Sequence, residues 1–128
     1  MVVRRFIEEV FVKGNPDAAD KLVTHDFTPH SWGNMPSGVE PLKQAIRRVH
    51  AGLTDVSFKI EDMIGEDDKV AVRVSAHGRH TGDFMGLPAT GKDYTISETH
   101  IFHLRDGKVS DHWRDADMLG LMKQLGAK

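Results

Sequence analysis

TISETHIFHLRDGKVSDHWRDAD, residues Thr95 to Asp117, decides how the chain is read. Asp106-Gly107 stands between two runs of strand-forming residues. That dipeptide is a strong short-range signal of a two-residue hairpin turn, because both central positions need positive φ. The turn fixes a register in which Arg105 opposes Lys108, Leu104 Val109, Phe102 Asp111, His100 Trp113, Glu98 Asp115 and Ile96 Asp117. Side chains alternate along a strand, so the pairs from Leu104–Val109 outward share one face. Ile96, Phe102, Leu104, Val109 and Trp113 mark it as the buried face. It then also carries Glu98, His100, Asp111, Asp115 and Asp117, an expensive set to bury unless the face lines a pocket. The sequence therefore predicts a pocket that His100, Trp113 and Asp117 line together.

Working outward, residues 2–13 space Phe6, Ile7, Val10 and Phe11 as a helix ended by Gly14. Asn15-Pro16-Asp17 opens a second, with Asn15 as cap and Pro16 at the first helical position, running to about His25. HDFTPHSWGNMPSG reads as irregular, with Phe27, Trp32 and Met35 in it. Ser37 and Glu40 have capping-box spacing for a third helix through about His50, burying Leu42, Ile46 and Val49. Strands follow: VSFKIEDMI, then KVAVRVSAHGRH, whose parity carries Val70, Val72, Val74, Ala76 and His80 inward and Arg73, Ser75 and His77 outward. MLGLMKQLG closes the chain as a short helix. Three helices followed by four long strands give an α+β domain, residues 1–128, an antiparallel curved sheet with helices on its inner face.

With 128 residues, 17 basic and 19 acidic side chains and no cysteine, the chain supports one core and no disulfide or thiol chemistry. The net charge of −2 favours neither nucleic acid nor an anionic membrane. No apolar run has transmembrane length and the N-terminus lacks a signal-peptide pattern, so a cytoplasmic setting is expected. Eight histidines occur, none at metal-ligand spacing.

DKVAVRVSAHGRHTGDFMGLPATGK, RDGKVSDHW, Asp117 and LGLMKQLG together resemble the SnoaL-like polyketide cyclases, or ester cyclases, of the nuclear-transport-factor-two-like superfamily. The likeness is concentrated in Met63 to Gly126 and extends more loosely over the N-terminal helices. It implies a cone-shaped α+β barrel enclosing an apolar cavity. It further implies an intramolecular aldol condensation of a small, apolar, carbonyl-containing polyketide ester, without metal or cofactor. The acid/base of such enzymes is the aspartate four residues beyond the strand tryptophan, here Asp117 after Trp113. The same cone hosts isomerases, epoxide hydrolases and purely binding proteins. Limonene-type epoxide hydrolases hold an arginine between two aspartates, and the register above brings no arginine inward.

Two readings stand for each candidate. Asp117 is either the general base or the N-cap of the terminal helix. His100 either partners it or is a hydrogen-bonded core imidazole. Trp113 is core, a flat wall for a ligand, or both. His30 and Trp32 form a surface cluster or a cavity mouth, and His80 joins them as a candidate substrate contact. Glu98 is a second pocket carboxylate or, by preference, an exposed strand end. Asp111 and Asp115 are expected at the rim or paired with Arg79, Arg105 or Lys108. Tyr94, the only tyrosine, begins a strand, which argues against an oxyanion role. Arg73, Ser75 and His77 suit a homodimer interface better than chemistry.

Overall fold

A computed structural model describes residues 2–31, 35–84 and 86–126. Helix α1 (Val2–Phe6) runs on into a π-helical stretch, Ile7–Val12. There Lys13 N–H donates to the Glu8 carbonyl at 2.9 Å, a wider turn that keeps Ile7 and Val10 buried. Asn15 accepts from the Asp17 N–H and opens a 3₁₀ turn, Pro16–Ala18, followed by α2 (Ala19–Leu22). This second helix stops before Val23, earlier than its sequence suggests.

Val23–Pro29 is a strand, β1, parallel to the last strand of the sheet. The sheet therefore has five strands rather than four, in the order β1-β5-β4-β3-β2. It comprises β2 (Leu53–Glu66), β3 (Lys69–His80), β4 (Asp93–Arg105) and β5 (Lys108–Ala116), each antiparallel to the next. It is curved but does not close. Helices α3 (Val39–Gly52) and α4 (Met118–Gln124) pack with α1 and α2 on the concave face. No helix among the described residues is long and apolar enough to cross a membrane.

The capping box does not form. Gly38 is the N-cap of α3 with no side-chain hydrogen bond, and Ser37 bonds Thr28 at 3.0 Å instead. Leu42 and Ile46 are buried as expected, while Val49 is partly exposed. One end of the core joins Phe6, Phe27 and Phe102, whose rings lie 5.5 to 6.2 Å from Phe6. The other gathers Leu53, Tyr94, Ile96, Leu121 and Leu125.

The Asp106-Gly107 turn is as read, with φ of 53° and 77°. Leu104 opposes Val109, but the ladder then slips by one residue, and His103 opposes Asp111, Phe102 His112, Ile101 Trp113 and His100 Arg114. Ser110 is the extra residue of a β-bulge, so Val109 and Ser110 are both buried. Its hydroxyl donates to the His103 carbonyl at 3.2 Å and lies 2.8 Å from Asp111 Oδ2. The slip leaves β4 facing as expected and reverses β5 beyond the bulge. His112 and Arg114 turn inward, and Asp111, Trp113 and Asp115 turn outward. Unbulged alternation would have put two carboxylates into the core beside Glu98, a cost the bulge avoids.

Candidate active site

Between the concave face of the sheet and the helices lies a cavity of about 350 Å³. Its walls are mainly apolar, with Phe11, Ile46, Phe58, Ile96 and Leu121 among them. Successive inward positions of β4 supply Tyr94, Ile96, Glu98 and His100, and β5 adds Arg114.

Glu98 is only 5% exposed, which corrects its reading as a solvent-facing strand end. One oxygen, Oε1, meets His100 Nε2 at 2.8 Å and Arg114 Nε at 3.1 Å, and Oε2 takes the Arg114 terminal N–H at 2.9 Å. Burial pushes the Glu98 carboxyl up, but the hydrogen bonds and charges of His100 and Arg114 outweigh it and bring the pKa to about 2. Glu98 is thus a fixed anion, and the nitrogen of His100 that faces it carries the proton. The other ring nitrogen of His100 lies 2.8 Å from His112 Nε2. Both rings are fully buried, and burial, with the neighbouring positive groups, holds His112 well below the usual imidazole range. Glu98, His100 and His112 form one buried hydrogen-bonded chain, closed at its carboxylate end by a half-exposed arginine.

His80 points inward as expected and is fully buried. Its Nδ1 takes the Thr90 backbone N–H at 3.3 Å and contacts the Thr90 hydroxyl at 3.0 Å, while Nε2 has no partner among the described residues. It is not among the groups that line the cavity.

Four other expectations need correction. Trp113 faces away from the cavity, because the Ser110 bulge reverses its side of the strand. It stacks on His30, centroids 4.2 Å apart and planes within 8°. His30 bonds Asp111 at 2.9 Å on that outer face, so it contacts neither the cavity nor His100. Asp111 accordingly pairs with His30 and Ser110, not with Arg79, Arg105 or Lys108. Trp32 lies outside the described residues. Asp117 is exposed and caps α4, its Oδ1 accepting the Gly120 N–H at 2.9 Å. It sits one turn before the lining residue Leu121 without itself lining the cavity.

Arg114 is the functional residue that sequence reasoning missed, since an unbulged strand puts it outside. Glu98 is its sole carboxylate partner among the described residues, so the arginine held between two carboxylates of the epoxide-hydrolase pattern is not formed. Among those residues, too, no three histidine or carboxylate side chains converge as a metal site.

This geometry has relatives. The sequence profile of the SnoaL-like polyketide cyclases matches residues 1–125. The nogalonic acid methyl ester cyclase of Streptomyces nogalater is 36% identical over 119 residues, covering 91% of this chain and 89% of that protein. The aklanonic acid methyl ester cyclase DauD of Streptomyces sp. (strain C5) is 28% identical, covering 98% and 80%. Among solved structures, TsrD from Streptomyces laurentii superposes with a TM-score of 0.88 at 30% identity, over 99% of this chain and 96% of that one. A SnoaL-like polyketide cyclase from Agrobacterium tumefaciens, 18% identical, shares the fold with a TM-score of 0.81 over 98% and 95%. A profile match running almost from end to end, with 36% identity to a curated relative over most of both chains, gives one conclusion: the chain belongs to the SnoaL-like polyketide cyclase family.

Proposed function

We propose that the protein is a cofactor-independent cyclase that removes a proton next to a carbonyl of a small polyketide-like ester and closes a ring by intramolecular aldol addition. The observation that carries this reading is the apolar cavity with Glu98, His100 and Arg114 on one wall, in a chain of this family. Relatives named for aklanonic and nogalonic acid methyl esters suggest the substrate class.

Two carboxylates are candidates for the base: Glu98 on the cavity wall, and Asp117 one turn before the lining residue Leu121. Glu98 has both oxygens committed and a depressed pKa, which suits a counter-ion and not a proton acceptor. Asp117 uses Oδ1 for the helix cap, and Oδ2 makes no hydrogen bond among the described residues. A Cβ at residue 120 would stand 2.2 Å from that oxygen, so the carboxylate keeps this position only over a glycine. In the proposed reaction Asp117 takes the proton from the carbon beside the carbonyl, and the electron pair moves onto the carbonyl oxygen. The enolate carbon attacks a second carbonyl carbon, the carbon–carbon bond forms, and the resulting alkoxide recovers a proton from Asp117. His100, oriented at both ring nitrogens, and Arg114 form the polar wall that this charge faces. The reading extends to a homodimer and, given the absence of cysteine, to the cytoplasm.

Asp117→Asn tests it. Asparagine keeps the cap but cannot act as a base, so turnover of aklanonic or nogalonic acid methyl ester should fall about 10²–10⁴-fold with the fold intact. Asp117→Ala should in addition cost roughly 0.5–2 kcal/mol of stability. Wild-type turnover by Asp117→Asn would leave Asp117 as a cap alone.

A further inference from the structure

Tyr94 is 6% exposed, and its hydroxyl has no hydrogen-bond partner among the described residues. The oxygen itself is not among the buried polar atoms left without a partner: it opens onto the cavity, where it is free to donate to whatever fills that space. The ring lines the cavity. Its position follows from the cross-strand pair with Gly78: a Cβ at residue 78 would lie 2.5 Å from Tyr94 Oη and 2.8 Å from Cζ. The ring lies across β3, over the one inward position of that strand that carries no side chain. Ala76 and His80, the inward neighbours on either side, are both buried.

The other polar groups of the cavity differ from it. Arg114 is tied to Glu98, Ser31 Oγ accepts the Arg114 backbone N–H at 2.8 Å, and His50 Nε2 bonds the Phe11 carbonyl at 3.0 Å. Tyr94 alone among them has a hydroxyl with no engagement. We infer that the Tyr94 hydroxyl is the donor that binds a substrate carbonyl oxygen and holds it as negative charge develops there, seated by Gly78 at the cavity wall. Burial, and the negative charge of Glu98, push the phenol up to about 12, so it remains a neutral O–H donor throughout the working pH range. It hydrogen-bonds the oxygen and transfers no proton. The family resemblance does not supply this role, and a strand-start position argued against it.

This inference rests on the cyclase reading for the identity of the oxygen, so its test is made to decide independently of turnover. The probes are 2-acetylnaphthalene, carrying a ¹³C-labelled carbonyl, and 2-ethylnaphthalene, of the same shape without the acceptor. The wild type should bind the acetyl probe more tightly and lower its carbonyl stretching frequency. Tyr94→Phe should weaken the acetyl probe about tenfold, abolish the frequency shift and leave 2-ethylnaphthalene unchanged. Gly78→Ala, which keeps the hydroxyl but forces the ring aside, should lose the same preference. With a converted ester, Tyr94→Phe should lower kcat about 10²–10³-fold. A wild type that does not prefer the acetyl probe, or a carbonyl band that is the same in wild type and Tyr94→Phe, shows a hydroxyl that serves only bound water and overturns the inference. Failure to turn over any ester would defeat the cyclase reading while these binding results still stood.

Discussion

Glu98 shows how much one side chain sets in this cavity. Its carboxyl falls from the usual 4.5 to about 2 because His100 and Arg114 stabilise the anion more than burial opposes it. The folded state therefore binds this proton less readily than the unfolded chain does. The resulting stabilisation is fully present above about pH 4.5 and is lost as pH falls toward 2. The shift corresponds to on the order of 3 kcal/mol at neutral pH. Glu98→Gln removes the titration and leaves Arg114 without its counter-ion. Urea melts should show the variant less stable than wild type by a few kcal/mol at pH 7, with the gap shrinking by about half at pH 3. A gap equal at both pH values would mean that Glu98 is not ionised by these partners. His100 and His80 were legible as inward residues because β3 and β4 alternate without interruption. Glu98 faced inward by the same parity, but its partner Arg114 was not legible, since it reaches the carboxylate only across a register that the sequence does not display.

At the scale of elements, the β4–β5 hairpin divides what is local from what is tertiary. The Asp106-Gly107 turn needs two left-handed residues, a requirement written into the dipeptide, and it forms. Nothing in KVSDHW marks Ser110 as a bulge, because no glycine stands there and the apolar alternation fits either register for two residues. The decision comes from outside the hairpin: β1 pairs along β5, with Thr28 beside Asp111 and Pro29 beside His112. β1 is itself poorly legible, since Val23 and Thr24 are both buried, its register is broken before Thr28, and Pro29 is tolerable only where a ladder hydrogen bond is not required. Deleting Ser110 removes the extra residue: Val109 still opposes Leu104 and Asp111 follows opposite His103, so His112 and Arg114 should stay inward on a ladder without a bulge. We expect a folded protein that keeps the Glu98–Arg114 pair and loses no more than about 3 kcal/mol in urea melts. Ser110→Ala keeps the residue count and gives up a hydroxyl contact to the His103 carbonyl, so its cost should be only about 0.5–2 kcal/mol. A deletion variant that fails to fold would show that the bulge itself, and not the pairing on either side of it, holds the register.

The whole molecule is covered on one side of its sheet and open on the other. Helices fill the concave face. The outer face carries Ile101, 41% exposed, beside Trp113, His103, Ser75 and His77, and Ile64 at 70% exposed farther along. Its polar members are only loosely committed: Arg73 bonds Asp62 in an exposed pair, and His77 bonds Thr95 at 3.1 Å. An exposed ion pair of that kind contributes little to folding, so stability alone does not require those residue types there. A mixed face of small side chains, an aromatic and an arginine matches the composition of subunit contacts, and one patch meeting its own copy about a two-fold axis closes without leaving a further surface to grow. The expected outcome is a homodimer at micromolar concentration by sedimentation equilibrium, burying more than about 1,000 Å² in total. Ile101→Glu, which opposes two charges near the proposed axis, should yield monomers. Because the cavity lies between the helices and the inner face of a single chain, those monomers should still bind 2-acetylnaphthalene with close to wild-type affinity. A wild type that sediments as a monomer removes the outer face as an interface. Monomers of Ile101→Glu that lose the ligand would instead show that the sheet's curvature, and with it the cavity, depends on the second subunit.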